Sequence, residues 1–142
     1  MRKTISICLF LLISVINFPA LGEDTQGQDA QTLLQNAQKL IAEEKYKEAI
    51  NQFETILKQF PDTPQIKDAI LLLADSYIKL AQPEKAEEIY LKTMEQYKDD
   101  TSYLIRIHNA LAELYISTQQ LQKAIKSYHA ILETEPDYTT SL

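Results

Sequence analysis

Glycine, cysteine and histidine are scarce in this chain of 142 residues, which has two glycines, one cysteine and two histidines. A zinc-type metal site needs three or four ligands, and no cluster of cysteine or histidine supplies them. A phosphate-binding loop needs closely spaced glycines, which the chain lacks. No serine, histidine and aspartate follow one another in the context of a nucleophile turn. We therefore predict that the chain is not an enzyme and binds no metal or cofactor.

The individual titratable side chains have simpler explanations than catalysis. His108 falls at a position predicted to face inward, so we expect a packing residue with a satisfied hydrogen bond rather than a ligand. Carboxylate pairs at residues 43–44, 87–88 and 99–100 fall at turns or on outer helix faces. Nothing suggests raised pKa values there, so we expect solvated charges.

Basic residues are also in deficit, with 14 Lys and Arg against 20 Asp and Glu and a net charge of −6. An acidic surface repels phosphate groups, so nucleic acid and anionic lipid surfaces are poor partners. Hydrophobic residues make up 45% of the chain and charged residues 24%, which is the composition of a globular protein. The low glycine content suits one mostly helical domain.

The first 22 residues differ from the rest of the chain. Two basic residues precede an apolar run over residues 5–18, and small residues follow up to Gly22. This order predicts a secretory signal peptide cleaved after Gly22, and hence an exported chain. The alternative is an uncleaved membrane anchor, but the run is shorter than the ~20 residues that a bilayer requires. Cleavage would remove Cys8, the one cysteine, and would leave a net charge of about −8.

Apolar residues recur at three- and four-residue spacing in the rest of the chain. In the centre, Ile70, Leu73, Ala74 and Tyr77 share one helix face, and a second amphipathic helix follows Pro83. Two such helices on a short turn make an αα-hairpin, which cannot bury its apolar face without copies of itself. Further helices are predicted on both sides, over about residues 30–43, 46–60, 102–116 and 121–133.

Polar residues mark the predicted boundaries of these helices. Residues 23–29 predict a flexible lead-in, with Asp29 as the cap of the first helix. Thr63 is the predicted cap of the third helix, with Pro64 at its first position. One of residues 99–101 is expected to cap the fifth helix.

Four features recur in register across the three predicted hairpins. Each hairpin has an alanine within its first helix, an alanine early in its second helix, an aromatic residue four positions later, and a helix-ending segment. These are Ala37, Ala74 and Ala112; Ala49, Ala86 and Ala124; Phe53, Tyr90 and Tyr128; and residues 60–62, 97–99 and 135–137.

This pattern resembles the tetratricopeptide repeat, in which a Leu-Gly or Leu-Ala pair, a tyrosine, an alanine, an aromatic residue and a proline recur over 34 residues. The resemblance covers residues 30–138 and implies an all-α, right-handed α-solenoid of three stacked helical hairpins. Its units are residues 30–63, 67–100 and 105–138, followed by a short tail at 139–142.

The spacing departs from that of the family, because the repeats are 37 and 38 residues apart. The extra residues fall between units, at 64–66 and 101–104. We expect them to extend the first helix of the next unit by about one turn.

The resemblance also implies a binding surface, because the first helices line the concave face of such a solenoid. By register, the predicted groove is formed by Gln31, Leu34, Gln38, Ile41, Asp68, Leu71, Asp75, Ile78, Lys79, Arg106, Asn109, Glu113 and Ile116. Family members that clamp the terminal carboxylate of a peptide use Lys and Asn at positions held here by Leu34 and Gln38, so that clamp is absent. The alternative for Leu34, Ile41 and Leu71 is packing against neighbouring helices.

The sequence is compatible with two functions. The first is a non-enzymatic scaffold in the bacterial cell envelope, most naturally the periplasm, which binds a peptide or helix of a protein partner in the groove. This hypothesis depends on the predicted signal peptide, because the chain thereby resembles exported repeat proteins of bacterial envelopes. The chain would contact the membrane only through the signal peptide, before its cleavage. The second is a self-associating spacer, or part of a longer repeat protein, which stacks through its C-terminal hairpin. Solenoids normally close with a polar capping helix, and Leu142 falls where a fourth unit would begin.

Overall fold

The computed structural model describes the backbone of residues 23–134 and the side chains of residues 29–134. Six α-helices form three hairpins in chain order: α1 (Glu23–Ala42) with α2 (Tyr46–Gln59), α3 (Ile66–Lys79) with α4 (Pro83–Gln96), and α5 (Thr101–Ser117) with α6 (Leu121–Thr134). No strand occurs within this range, and the predicted all-α solenoid of six helices is confirmed.

Two predicted segments lie outside the described residues. They are the signal peptide, residues 1–22, and the end of the third unit with its tail, residues 135–142. Among the helices that the structure does describe, none combines the length and the apolar character needed to cross a bilayer.

Two of the predicted helix caps were wrong. Residues 23–29 belong to α1 instead of a flexible lead-in, so Asp29 lies inside the helix and does not cap it. This stretch has no proline, and its one glycine costs a helix only about 1 kcal/mol relative to alanine. Thr63 does not cap α3, because its hydroxyl donates to the carbonyl of Phe60 at 2.8 Å and the helix begins at Ile66.

The junction before α5 follows the prediction more closely. Asp100 caps this helix by accepting a hydrogen bond from the backbone amide of Tyr103 at 3.0 Å. With 17 residues, α5 is about one turn longer than the 14-residue α4, as expected from the extra residues 101–104. By contrast, α3 has 14 residues, because Pro64 and Gln65 remain in the turn before it.

The alanines that recur in register are buried in the helices. Ala37, Ala49, Ala74, Ala86 and Ala112 have no exposed surface, and Ala124 is 3% exposed. A small side chain lets two helix backbones approach, and larger residues fill the space around it at crystal-like density. Phe53 and Tyr90, each four positions after such an alanine, are fully buried. Tyr128 occupies the same register in α6 but is 42% exposed. Contrary to the prediction, it does not join the core.

The core consists of two clusters that meet at α3. The first cluster joins α1 and α2 to one side of α3, where Ile70 and Leu73 contribute. The second joins Ala74 of α3 to α4, α5 and α6. Because α3 contributes to both clusters, the central hairpin ties the outer two together.

Tyrosines link each later hairpin to the one before it. Tyr77 in α3 donates from its hydroxyl to Glu54 of α2 at 3.1 Å, and Tyr115 in α5 donates to Glu87 of α4 at 2.8 Å. Each tyrosine ring also lies 5.0 Å from a lysine Nζ, which is Lys85 for Tyr77 and Lys123 for Tyr115. Burial and the bond to Glu87 raise the pKa of Tyr115 to about 12. These contacts fix the rotation of one hairpin on the next.

A compact polar cluster fastens the second junction. Lys67 of α3 forms an ion pair with Asp100, and the hydroxyl of Tyr103 donates to the carbonyl of Lys67 at 2.9 Å. The rings of Tyr97 and Tyr103 meet edge to face at 5.1 Å, and Lys67 Nζ lies 5.4 Å from both ring centres. The bonds from Lys67 and the Tyr103 amide lower the pKa of Asp100, so its carboxylate stays ionised.

The turn inside every hairpin has one shared conformation. Glu44, Ala81 and Gln119 adopt positive φ angles of 58°, 56° and 61°. At each turn, the next amide donates to the carbonyl five residues earlier, as in Gln82 to Tyr77 at 2.9 Å. This is the Schellman arrangement, which glycine usually completes because a Cβ destabilises the left-handed backbone. None of the three positions is glycine, so each turn carries strain of about 1 kcal/mol.

Replacing Ala81 by glycine removes this strain, so we expect Ala81→Gly to raise the free energy of unfolding by about 1 kcal/mol. Urea denaturation of the two proteins measures the change. Ala130→Gly, within α6, is the control and should lower stability by a similar amount, because glycine is unfavourable inside a helix. A loss of stability in both variants would contradict the strained-turn account.

Candidate functional site

Equivalent positions on the first helices form a row of polar contacts across the hairpins. Gln31, Asp68 and Arg106 share one register in α1, α3 and α5. Gln31 accepts a hydrogen bond from Nε2 of Gln65 at 3.0 Å, and Arg106 donates to Asp68 at 2.8 Å. These side chains are largely exposed, so each contact adds at most about 1 kcal/mol. They link α1 to the turn before α3, and α3 to α5, along one surface.

A pocket of about 330 Å³ opens on this surface between α3 and α5. Three charged side chains, Asp75, Lys79 and Glu113, border it, together with apolar groups. The remaining lining residues are Ile78, Ala110, Leu114 and Ser117. A concave site with an apolar lining and a few polar groups is the usual form of a site for part of a ligand.

A buried tyrosine positions Asp75, one of the residues that line this pocket. Tyr90 of α4 has no exposed surface, and its hydroxyl donates to Asp75 Oδ1 at 2.8 Å. Burial raises the pKa of the Tyr90 phenol, and the carboxylates of Asp75 and Glu113 raise it further. The phenol therefore keeps its proton at all physiological pH values and holds the Asp75 carboxylate in place.

Comparisons with known proteins agree with this architecture. Two family models, both described as tetratricopeptide repeat, match residues 40–107 and 105–138. This chain is a tetratricopeptide repeat protein. A solved structure of similar fold, described as the first TPR of Spaghetti (RPAP3) bound to HSP90 peptide SRMEEVD, aligns with a TM-score of 0.57 and 24% identity. The alignment covers 78% of this chain and 82% of that one. The search of curated proteins found no match.

The pocket of this tetratricopeptide repeat protein brings together four of the predicted groove residues: Asp75, Ile78, Lys79 and Glu113. Asp68, Arg106 and Gln31 contact neighbours in the row described above. The side chains of Gln38, Asn109 and Ile116 are exposed elsewhere on the first helices.

Three apolar residues of the predicted groove contribute to packing. Leu34 is only 5% exposed and belongs to the first core cluster, so it cannot contact a partner and its assignment to the groove was wrong. The apolar stripe of α1 is wider than the register suggested and includes Leu34. Ile41 and Leu71 pack against the two clusters but remain partly exposed.

The pocket also contains residues that the sequence reasoning missed, namely Ala110, Leu114 and Ser117. They lie on α5 within four residues of Glu113, on adjacent turns of the helix face. The three- and four-residue spacing of a helix could have identified Ala110 and Ser117, because these positions neighbour Glu113 on the surface of α5.

His108 departs from its prediction in one respect. It is half-buried as expected, but its Nδ1 is buried and has no hydrogen-bond partner among the described residues. Burial lowers the pKa of this imidazole, which favours the neutral ring. The side chain lies behind the concave surface, near Leu91 and Met94 of α4.

The bond between Tyr90 and Asp75 predicts a stability change that depends on pH. Tyr90→Phe should cost about 1 kcal/mol of unfolding free energy at pH 7, since it removes one buried hydrogen bond. Above about pH 10, the unfolded phenol loses its proton while the folded phenol of raised pKa keeps it. The unmodified protein therefore loses stability as pH rises, and Tyr90→Phe should lose less.

Urea denaturation at pH 7 and at about pH 11 measures both effects. The control is Tyr128→Phe, at an exposed position of the same register, which should change stability little at either pH. Equal losses for Tyr90→Phe and the unmodified protein on going to alkaline pH would show that Tyr90 does not titrate as described.

Proposed function

We propose that this tetratricopeptide repeat protein is a non-enzymatic scaffold that holds a peptide or helix of a partner protein on its concave surface. The observation that carries the proposal is the pocket between α3 and α5, with charged groups at its border and apolar groups in its lining. Apolar contacts would supply affinity, and the three charges would select the partner. The peptide bound by the solved structure of similar fold supports this use of the surface.

The partner chemistry differs from that of the acidic peptide SRMEEVD. The positions that would hold a clamp for a terminal carboxylate are Leu34, which is buried, and Gln38, which is uncharged. Two of the three charged groups at the pocket are carboxylates, Asp75 and Glu113, and like charges repel. We therefore propose a partner segment that is neutral or basic where it enters this pocket.

The setting that we propose is the bacterial cell envelope, with the chain exported to the periplasm. The support is the order of basic, apolar and small residues over positions 1–22, which is typical of a cleaved signal peptide. A mature chain with no cysteine would work equally well in oxidising surroundings.

Co-purification from intact envelopes tests the proposal, with the protein itself as bait. Lys79→Glu combined with Glu113→Lys keeps the net charge but exchanges the charges at the pocket. We expect this pair to lower recovery of bound partners at least ~10-fold, because a basic group of the partner that pairs with Glu113 would now face a lysine. The mass of the recovered bait reports on export in the same experiment, since cleavage after Gly22 leaves Glu23 first.

The matched control exchanges the same charge types on α4, with Glu88→Lys and Lys92→Glu. Both side chains are exposed and lie beside a different pocket, between α2 and α4. The control should recover partners as well as the unmodified bait does. If the pocket variant also retained its partners, the concave surface would not be the binding site.

A second candidate function is self-association through the third hairpin. The observation that favours it is the set of large apolar side chains exposed on α6, which include Leu121 at 59% and Ile125 at 48%. In this role the protein would act as a structural spacer.

A further inference from the structure

Helix α6 presents an apolar stripe that no described residue covers. The stripe consists of Leu121, Ile125, Tyr128 and Leu132, which are 59%, 48%, 42% and 42% exposed. Their spacing of four, three and four residues places them on one face of the helix and matches the seam of a two-stranded coiled coil. Side chains of this size at this spacing are typical of a helix-packing surface.

The other hairpins show what normally lies on this face. The equivalent residues of α2 include Ile50 and Phe53, which are buried in one cluster with Ile66 and Ile70 of α3. Tyr90 of α4 is likewise buried in one cluster with residues of α5. In α2 and α4, a following helix therefore packs on this face. In α6, none of the described residues forms such a helix.

One conceivable occupant does not fit. The outer surface of α1 could cover the stripe in a head-to-tail stack, but it is polar. Among its described side chains, the exposed residues are Asp29, Gln31, Thr32, Gln35, Asn36, Gln38, Lys39 and Ala42, of which only Ala42 is apolar.

We propose that α6 of a second copy of this chain covers the stripe, in an antiparallel pair related by a twofold axis. The four-three-four spacing reads the same in both directions, so Leu121 of one copy faces Leu132 of the other and Ile125 faces Tyr128. Glu133, next to the stripe at the C-terminal end, is placed beside the N-terminal turn of the second α6. A helix N-terminus favours a carboxylate there.

This inference deepens the second candidate function and does not depend on the concave pocket. The interface is small, since each copy contributes one 14-residue helix. It falls at the low end of specific interfaces, so the dimer dissociates on dilution and is not obligate.

Sedimentation velocity of the purified chain, in the N-terminal form that its cells produce, tests the proposal over roughly 1 to 500 µM. We expect a monomer at the lowest concentrations and a dimer at the highest. Ile125→Lys should weaken the dimer at least ~10-fold, since it buries a charge at the centre of the seam. Leu91→Lys on α4 is the matched control, because Leu91 is 50% exposed against 48% for Ile125, and it should change dimerisation less than ~2-fold.

The orientation of the pair has its own readout. A mixture of Ile125→Cys and Tyr128→Cys copies should form disulfides faster than either variant alone, because these positions face each other in the antiparallel pair. Circular dichroism confirms that each variant keeps its helices. A monomer at all concentrations would overturn the proposal and would mean that residues 135–142 or another protein covers the stripe. A dimer that Ile125→Lys leaves intact, or that Leu91→Lys weakens equally, would also overturn it.

Discussion

Close approach of two helices depends on small side chains at the point of contact, and alanines provide that contact in all three hairpins. Ala74 and Ala86 have no exposed surface in the central hairpin, as do Ala37 and Ala49 in the first. An aromatic ring four residues beyond the second alanine then fills the space toward the next hairpin, as Phe53 and Tyr90 do. Full burial of such a ring stabilises the fold by roughly 2 kcal/mol, so the repeated contact accounts for much of the stacking.

The same stacking generates the functional surface. When α3 and α5 lie side by side over Tyr90, the spaces between their turns become a pocket bordered by Asp75 and Glu113. The chemistry of the surface can change through exposed residues such as Lys79 without disturbing the buried alanines beneath it.

The sequence predicted those parts of the fold that depend on local spacing. Six helices follow from three- and four-residue periodicity, and a cap among residues 99–101 follows from their position before an apolar segment. The structure gives this role to Asp100. Features that depend on distant neighbours could not be predicted in this way. Tyr90 and Tyr128 share one register, yet one is buried and the other exposed, because within residues 29–134 only the first is covered by a following helix.

Site prediction had the same limit. Register alone placed Leu34 in the groove, whereas its burial depends on its packing in a cluster with residues of α2 and α3. Asp75 and Glu113 at the pocket were predicted, whereas Ala110 and Leu114 in its lining were not. Which residues lie opposite Ala110 and Leu114 depends on how α3 packs on α5. The left-handed turns at Glu44, Ala81 and Gln119 have no glycine, which is the residue that usually identifies such turns in a sequence.

The central claim is that alanine-sized contacts hold the hairpins together, and enlarging one of them tests it most directly. Ala74→Leu adds three carbons at a fully buried position, whereas Ala42→Leu makes the same change at an exposed position of α1. Urea denaturation of both variants should show a loss of about 1–3 kcal/mol for Ala74→Leu and almost none for Ala42→Leu. Equal stability of the two variants would contradict the account.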